Sequence, residues 1–424
     1  MGASLGNRSG GEAGRGAIVL LAALWILAAA GRSASDESAA EPAPSTVVLI
    51  SLDGARPADL TQARLPSLLA VGRAGGLAEA LVPVDPTNTF PNHVSLATGV
   101  RPDVHRLVNN TFVDPERGLF RRQRPHEWIE SEPIWSVAER HGVPAASYYW
   151  VGSEGDWSRG PGPSESRVFS SRTSERTKVD QILAWLGQND LARRPRLITA
   201  WFHGPDHAAH DHGPDSAEVS ASLVPQDQAI ARLVRVMEER GLFSTTTLLF
   251  VSDHGMAEAE RRVNLGARLR EAGLHPRVLG IGGFASVVLG ASRTPETLAR
   301  TLGVAREAGL EAWPPAEAPE EWHVDDPRFG DVVVRAPLGT AIVSRTGALE
   351  GFHGYAAEEP PMAGILVARG RGVAPGTHLG RVSNLSIAPT VLRLLGLPVP
   401  PQMRGPLIEG LLVGVEAEAS KEER

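Results

Sequence analysis

Thr46-Val-Val-Leu-Ile-Ser-Leu52 is a nearly unbroken apolar, β-branched run that stops at Asp53-Gly54. A run without polar alternation predicts a strand buried on both faces, not one with a wetted side. Two later runs repeat the design. Leu197 to Phe202 leads into a His/Asp cluster, and Thr245 to Ser252 leads into Asp253-His254. Between them, apolar residues recur at helical spacing: Val179, Ile182, Leu183 and Leu186 before Gly187, then Ile230, Leu233, Val234 and Met237 before Gly241. Strands alternating with helices predict an α/β fold, a central sheet with helices on both faces. A further strand at Ala363 to Ala368 and a helix from Asn384 to Leu395, stopped by Gly396 and Pro398, complete the expected core. In open α/β sheets ligands bind beyond the carboxyl ends of the strands, so Asp53, Asp206 and Asp253 are expected to converge on one crevice.

The regular pattern fails between residues 256 and 348, where short helical and strand patterns mix with the proline-rich stretch Trp313 to Pro319. This stretch reads as an insertion or cap subdomain. The first 44 residues differ again. Arg8 and Arg15 precede the apolar run Ala17 to Ala30, and small polar residues follow up to Pro42 and Pro44. That is the layout of a signal peptide and linker, with a run short for a bilayer span, which needs roughly 17 to 25 residues. Export to the periplasm or outside is expected, with membrane attachment only if the segment stays uncleaved. Residues 401–424 read as a tail, charged at its end.

Composition narrows the partners. With 42 Lys+Arg against 49 Asp+Glu, the 424-residue chain has no cationic excess for polymeric nucleic acid or an anionic membrane surface. There is no cysteine, which excludes disulfides and thiolate ligands, so any metal is held by nitrogen and oxygen. Oligomeric state leaves no signal in the pattern. The sequons at Asn109 and Asn384 matter only in a glycosylating secretory pathway.

Nitrogen and oxygen donors gather in three places: Asp206 to His212 within a glycine-bounded segment, Asp253-His254-Gly255, and Gly351-Phe-His353-Gly354. Asp206 and His210 stand four apart and share a face after one helical turn. Carboxylate with imidazole suits zinc, and a pair of metal ions suits in-line displacement at phosphorus. Such chemistry calls for a nucleophile. Thr87-Asn-Thr89-Phe-Pro-Asn-His93 offers Thr89, ahead of a helix that, starting at Pro91, would aim free N–H groups at a phosphate.

At this point the chain resembles a known family over residues 45 to 400: the nucleotide pyrophosphatase/phosphodiesterases (type I phosphodiesterases) of the alkaline phosphatase superfamily. The carriers are Leu52-Asp53-Gly54, Thr89-Phe-Pro-Asn-His93, the segment His105 to Pro115, Pro205-Asp206 with His210, Asp253-His254-Gly255, Gly351-Phe-His353-Gly-Tyr355, and Ile387-Ala-Pro-Thr-Val-Leu392 with Leu395-Gly-Leu-Pro398. The resemblance implies an alkaline-phosphatase-like catalytic domain with a mixed, mostly parallel sheet and an inserted cap. It implies two zinc ions, one held by Asp206, His210 and His353, the other by Asp53, Asp253 and His254 beside Thr89. Thr89 would be the nucleophile of a phosphothreonyl intermediate, and Asn110 would bond a phosphate oxygen.

The same resemblance places Phe90 and Trp201 where aromatics contact a nucleobase, pointing to a small nucleotide or other phosphodiester as substrate. Arg106 stands where the family usually has glycine, so its charge is expected either to meet phosphate or to be solvated. His203, His207 and His212 match no ligand position and are expected beyond the ligands or at the surface, and His93 is expected to pack or hydrogen-bond. Two readings compete with the phosphodiesterase: a phosphonoacetate-hydrolase-like phosphonatase or a phosphomonoesterase on the same site, and a non-catalytic binding protein. The last requires a lost ligand or nucleophile, and none is missing.

Overall fold

The computed structural model describes residues 45–344 and 349–413. The signal-peptide reading and the charged end of the tail lie outside these residues. Eight strands form the main sheet: β1 (Thr46–Leu52), β2 (Gly76–Val82), β3 (Ala145–Tyr148), β4 (Glu165–Arg167), β5 (Leu197–Phe202), β6 (Thr246–Val251), β7 (Leu366–Gly370) and β8 (Thr377–Ser383). Their order is β8-β2-β7-β6-β1-β5-β3-β4. Only β7 runs against its neighbours, β6 and β2; the other pairings are parallel.

Both faces are covered, as the unbroken apolar runs require. On one side Val48, Ile50 and Leu52 pack with residues of α1 (Pro66–Ala74), α3 (Glu175–Leu186) and α5 (Ala217–Glu239). On the other, Val47 and Leu49 meet α2 (Thr89–Thr98), the helix Ile134–Arg140 and α6 (Ile387–Leu394). Each wholly buried Val, Leu or Ile contributes about 1.5–3 kcal/mol, which is why β1 tolerates so little polarity. Residues 401–413 carry more structure than a tail: Met403, Ile408 and Leu411 are buried in the second core. Among the described residues no helix is long and apolar enough to cross a membrane.

The stretch after Met256 builds a smaller antiparallel sheet in the order Arg277–Leu279, Phe284–Val288, Val332–Arg335, Glu311–Trp313. Leu265 and Leu269 from one helix and Ala305 from another share its apolar cluster. The chain leaves and returns at one place, since Ala257–Glu258 pairs antiparallel with Gly351–Phe352. That pairing delivers His353 to the end of the main sheet.

The sequons at Asn109 and Asn384 are closed. Asn109 and Asn384 are buried, Asn109 accepting from Asn88 and Asn384 donating to Asn92, so neither has room for a glycan.

Candidate active site

Three adjacent parallel strands, β6, β1 and β5, end in register, with Leu52 opposite Phe202 and Ser51 opposite Val251. Their next residues therefore arrive side by side: Asp53 after β1, Asp253-His254 after β6, and Asp206 at the start of the short helix α4 (Asp206–His212) after β5. Close approach is obligatory here. A Cβ on Gly204, at φ +59°, would lie 1.8 Å from the Asp53 carbonyl oxygen, and that oxygen accepts the Asp206 N–H at 3.3 Å. We expect Gly204→Ala to separate Asp206 from Asp53, lowering stability by at least ~3 kcal/mol and removing activity, as urea denaturation and turnover would show.

Donor atoms of Asp53, Asp253 and His254 lie within 4.8 Å of one another, and so do those of Asp206, His254 and His353. His254 thus belongs to both groups. His210 stands outside that second trio but beside it, its Nε2 3.4 Å from Asp206 Oδ1. The imidazoles of His210, His353 and His254 follow one another at centroid separations of 5.1 and 3.8 Å.

Hydrogen bonding fixes which nitrogen faces inward. Nδ1 of His210 donates to the Gly351 carbonyl, that of His254 to Gly255, and that of His353 to Thr87, at 2.8, 2.8 and 2.9 Å. A carbonyl can only accept, so each Nδ1 bears a proton and Nε2 is the nitrogen left facing the cluster, the arrangement of a ligating histidine. Asp53 Oδ1, Asp206 Oδ1 and Asp253 Oδ2 are buried without a hydrogen-bond partner. Three orphaned carboxylate oxygens facing bare imidazole nitrogens are costly alone and satisfied by divalent cations.

The charges are strained accordingly. Burial, then the carboxylates of Asp253 and Asp206, push Asp53 well above the ordinary aspartate range. Burial would raise Asp253 too, but His254 and His93 hold it down at about 2. Burial, reinforced by His254 and His210, drives His353 well below the usual imidazole value. His93 is wedged between Trp150 and Trp201, with Nδ1 2.9 Å from the Thr89 carbonyl and 3.2 Å from Asp253 Oδ2.

Thr89 is the first residue of α2, and its Oγ1 lies 3.1 Å from His254 Nε2. The helix end differs from the expectation drawn from Pro91. Proline is the third helical residue, not the first, and the Phe90 N–H is bonded to Asn110 Oδ1 at 2.8 Å. That bond turns the Asn110 amide so that Nδ2 keeps its donors free of partners among the described residues. Thr87 locks the Thr89 loop to the His353 loop, donating to the Tyr355 carbonyl and accepting the Gly354 N–H.

Phe90 is half-buried against Phe120. Trp201 has one face stacked on Phe169 at 5.5 Å and the other near His93. Phe169 is exposed and was not singled out by sequence reasoning; an aromatic in the arginine- and serine-rich stretch 166–173 was its only signal. Buried Lys178 was likewise missed. It pairs with Glu175 at 2.8 Å and donates to the Trp201 carbonyl, while Glu175 accepts the His203 N–H, so the pair braces the approach to Asp206. Arg106 meets Asp326 at 2.8 Å, which accounts for its charge. His207 and His212 are exposed, and His203 sits on Glu175.

Known proteins resemble this chain in sequence and fold. The sequence profile described as type I phosphodiesterase / nucleotide pyrophosphatase matches residues 47–356. An uncharacterized pyrophosphatase/phosphodiesterase of Schizosaccharomyces pombe is 31% identical over 383 residues, covering 84% of this chain and 78% of its own length. Ectonucleotide pyrophosphatase/phosphodiesterase family member 1 of Rattus norvegicus is 30% identical across 55% of this chain, which spans only 26% of that relative. Among solved structures, murine ectonucleotide pyrophosphatase/phosphodiesterase 5, an inactive threonine-to-alanine variant in complex with AMP, superposes with a TM-score of 0.79 at 23% identity, covering 87% of this chain and 100% of that one. That likeness establishes the alkaline-phosphatase-like fold. The chain belongs to the type I phosphodiesterase / nucleotide pyrophosphatase family of hydrolases.

Proposed function

We propose that this hydrolase cleaves phosphodiester and pyrophosphate bonds of small nucleotides through a phosphothreonyl intermediate on Thr89. The observation that carries the reading is the placement of the Thr89 hydroxyl, at the head of a buried helix and 3.1 Å from the imidazole shared by both ligand groups. The orphaned carboxylate oxygens and bare Nε2 atoms fit two zinc ions, with Asp53, Asp253 and His254 holding one, and Asp206, His210 and His353 the other. When bound, the metals supply Lewis-acid stabilisation of charge at oxygen and favour an ionised nucleophile.

The chain's own residues do the rest. Thr89 Oγ1 gives up its proton and attacks phosphorus, the ester or anhydride bond breaks, the second product departs with the bonding electrons and the nucleotidyl group stays on threonine; water then adds its oxygen to phosphorus, releasing the monophosphate and returning a proton to the hydroxyl. Asn110, held by the Phe90 N–H, offers its amide to a non-bridging oxygen. Phe90 and Trp201 form aromatic walls for a base, Trp201 acting through Phe169, which covers it. In keeping with this, the murine neighbour binds AMP. Export is part of the proposal, and sequencing the amino terminus of secreted protein checks it.

The discriminating assay compares two aryl esters on the zinc-loaded protein. A nucleotide aryl diester should turn over at least about tenfold faster than an aryl monophosphate, since only the diester fills the aromatic walls. The reverse preference would establish a phosphomonoesterase and sink the diesterase reading.

A further inference from the structure

The hairpin formed by Phe112–Asp114 and Gly118–Phe120 begins two residues after Asn110 and ends two before Arg122. At its foot Phe120 meets Phe90 at a centroid separation of 6.3 Å and packs with Phe112 and Trp128, so the aromatic cluster fixes where the next residues start. The chain then turns sharply. Arg122 and Arg124 both have positive φ, 66° and 43°, backbone that side chains other than glycine enter only at a steric cost. The outcome is an Arg122 guanidinium 5.6 Å from the centroid of the Phe90 ring, beside the nucleophile.

Two arginines of the same stretch, Arg117 and Arg124, have their charges occupied. Arg117 lies over Trp128 at 3.8 Å and donates to the Glu127 carbonyl, and Arg124 pairs with the Glu127 carboxylate at 2.7 Å. Among the described residues Arg122 pairs with no carboxylate. An exposed guanidinium held on the ring of Phe90, the residue that follows Thr89, and without an anion of its own, has the planar fork that bonds phosphate bidentately. The reacting phosphoryl group already has Asn110 and the ligand cluster. Arg122 is placed for a group beyond it.

We propose that Arg122 is a specificity-determining residue that receives a second phosphoryl group of the substrate, favouring diphosphate-containing substrates over diesters with an uncharged leaving group. This rests on Thr89 being the nucleophile. The variants are Arg122→Leu, which keeps an apolar side chain on Phe90, and Arg122→Lys, which keeps charge without the fork. For Arg122→Leu, kcat/KM towards a nucleoside triphosphate should fall by about 30-fold, the scale of a charged hydrogen bond, while a nucleotide aryl diester changes less than about threefold. Arg122→Lys should recover part of the loss.

A second measurement is independent of turnover. Calorimetry on metal-loaded protein should show inorganic pyrophosphate binding weakened in Arg122→Leu and orthophosphate binding unchanged. Equal losses on both substrates would assign Arg122 to base stacking or to structure and overturn the proposal, as would unaltered pyrophosphate affinity. A wild-type protein that cleaves neither substrate would remove the function proposed above, and the pyrophosphate comparison would still decide Arg122.

Discussion

Thr89→Ala should lower turnover of a nucleotide diester by on the order of 10⁴-fold or more while leaving AMP binding within a few-fold of wild type. The separation is expected because the side chain does little for the fold. The N-cap of α2 is Asn88, and among the described residues the Thr89 hydroxyl bonds only His254 Nε2. Removing it opens a gap of one hydroxyl and one methyl at the sheet end, and alanine is the best helix former. Thr89→Ser keeps the oxygen and should retain measurable activity. Rapid-quench trapping of a covalent adduct in wild type, absent from the alanine variant, reads the intermediate directly. Turnover of Thr89→Ala within tenfold of wild type would mean that water attacks phosphorus without threonine, and Thr89 would revert to a packing residue.

Why the clustering of Asp53, Asp253 and His254 was legible in the sequence and the placement of Arg122 was not follows from how each is positioned. Asp53, Asp253 and His254 follow strands whose unbroken apolar runs announce burial on both faces, and adjacent parallel strands deliver their carboxyl-terminal residues to one edge. One-dimensional pattern and three-dimensional place coincide there. Thr89 was singled out through its family motif, but the hydrogen bonding of its helix end left no such signal, because the partner of the Phe90 N–H, Asn110, lies 20 residues away. Arg122 depends on a hairpin with three-residue strands and on two left-handed residues, none of which leaves a periodic signal. Among several arginines in that stretch, tertiary contact alone decides which is paired. Phe169 and Lys178 were hidden for the same reason: each acts on Trp201 from another element.

Metal removal gives the last large effect, and it reverses the sign of a single substitution's effect on stability. A chelator should lower kcat/KM by at least about 10³-fold, with zinc restoring it, and should lower the melting temperature, because the same groups that bind metal repel one another without it. In the loaded protein Asp53→Asn should weaken metal binding and lower both activity and melting temperature. In the metal-free protein it should instead raise the melting temperature, by on the order of 2 °C, since it deletes one of three crowded carboxylates. Linkage fixes the pH dependence of that gain. Asp53 is raised in the folded state above its unfolded value of 3.8, so between the two the native state binds the extra proton and wild type loses stability as pH rises. The advantage of asparagine is therefore full above the folded pKa and vanishes as pH falls towards 3.8. His353, depressed in the folded state, is common to both proteins and cancels in the comparison. Thermal melts of both proteins with chelator and with zinc, across pH 4–8, supply the test. An asparagine variant that melts lower than wild type in both conditions would show that Asp53 stabilises the fold by itself, and that the carboxylate cluster is not held together by metal.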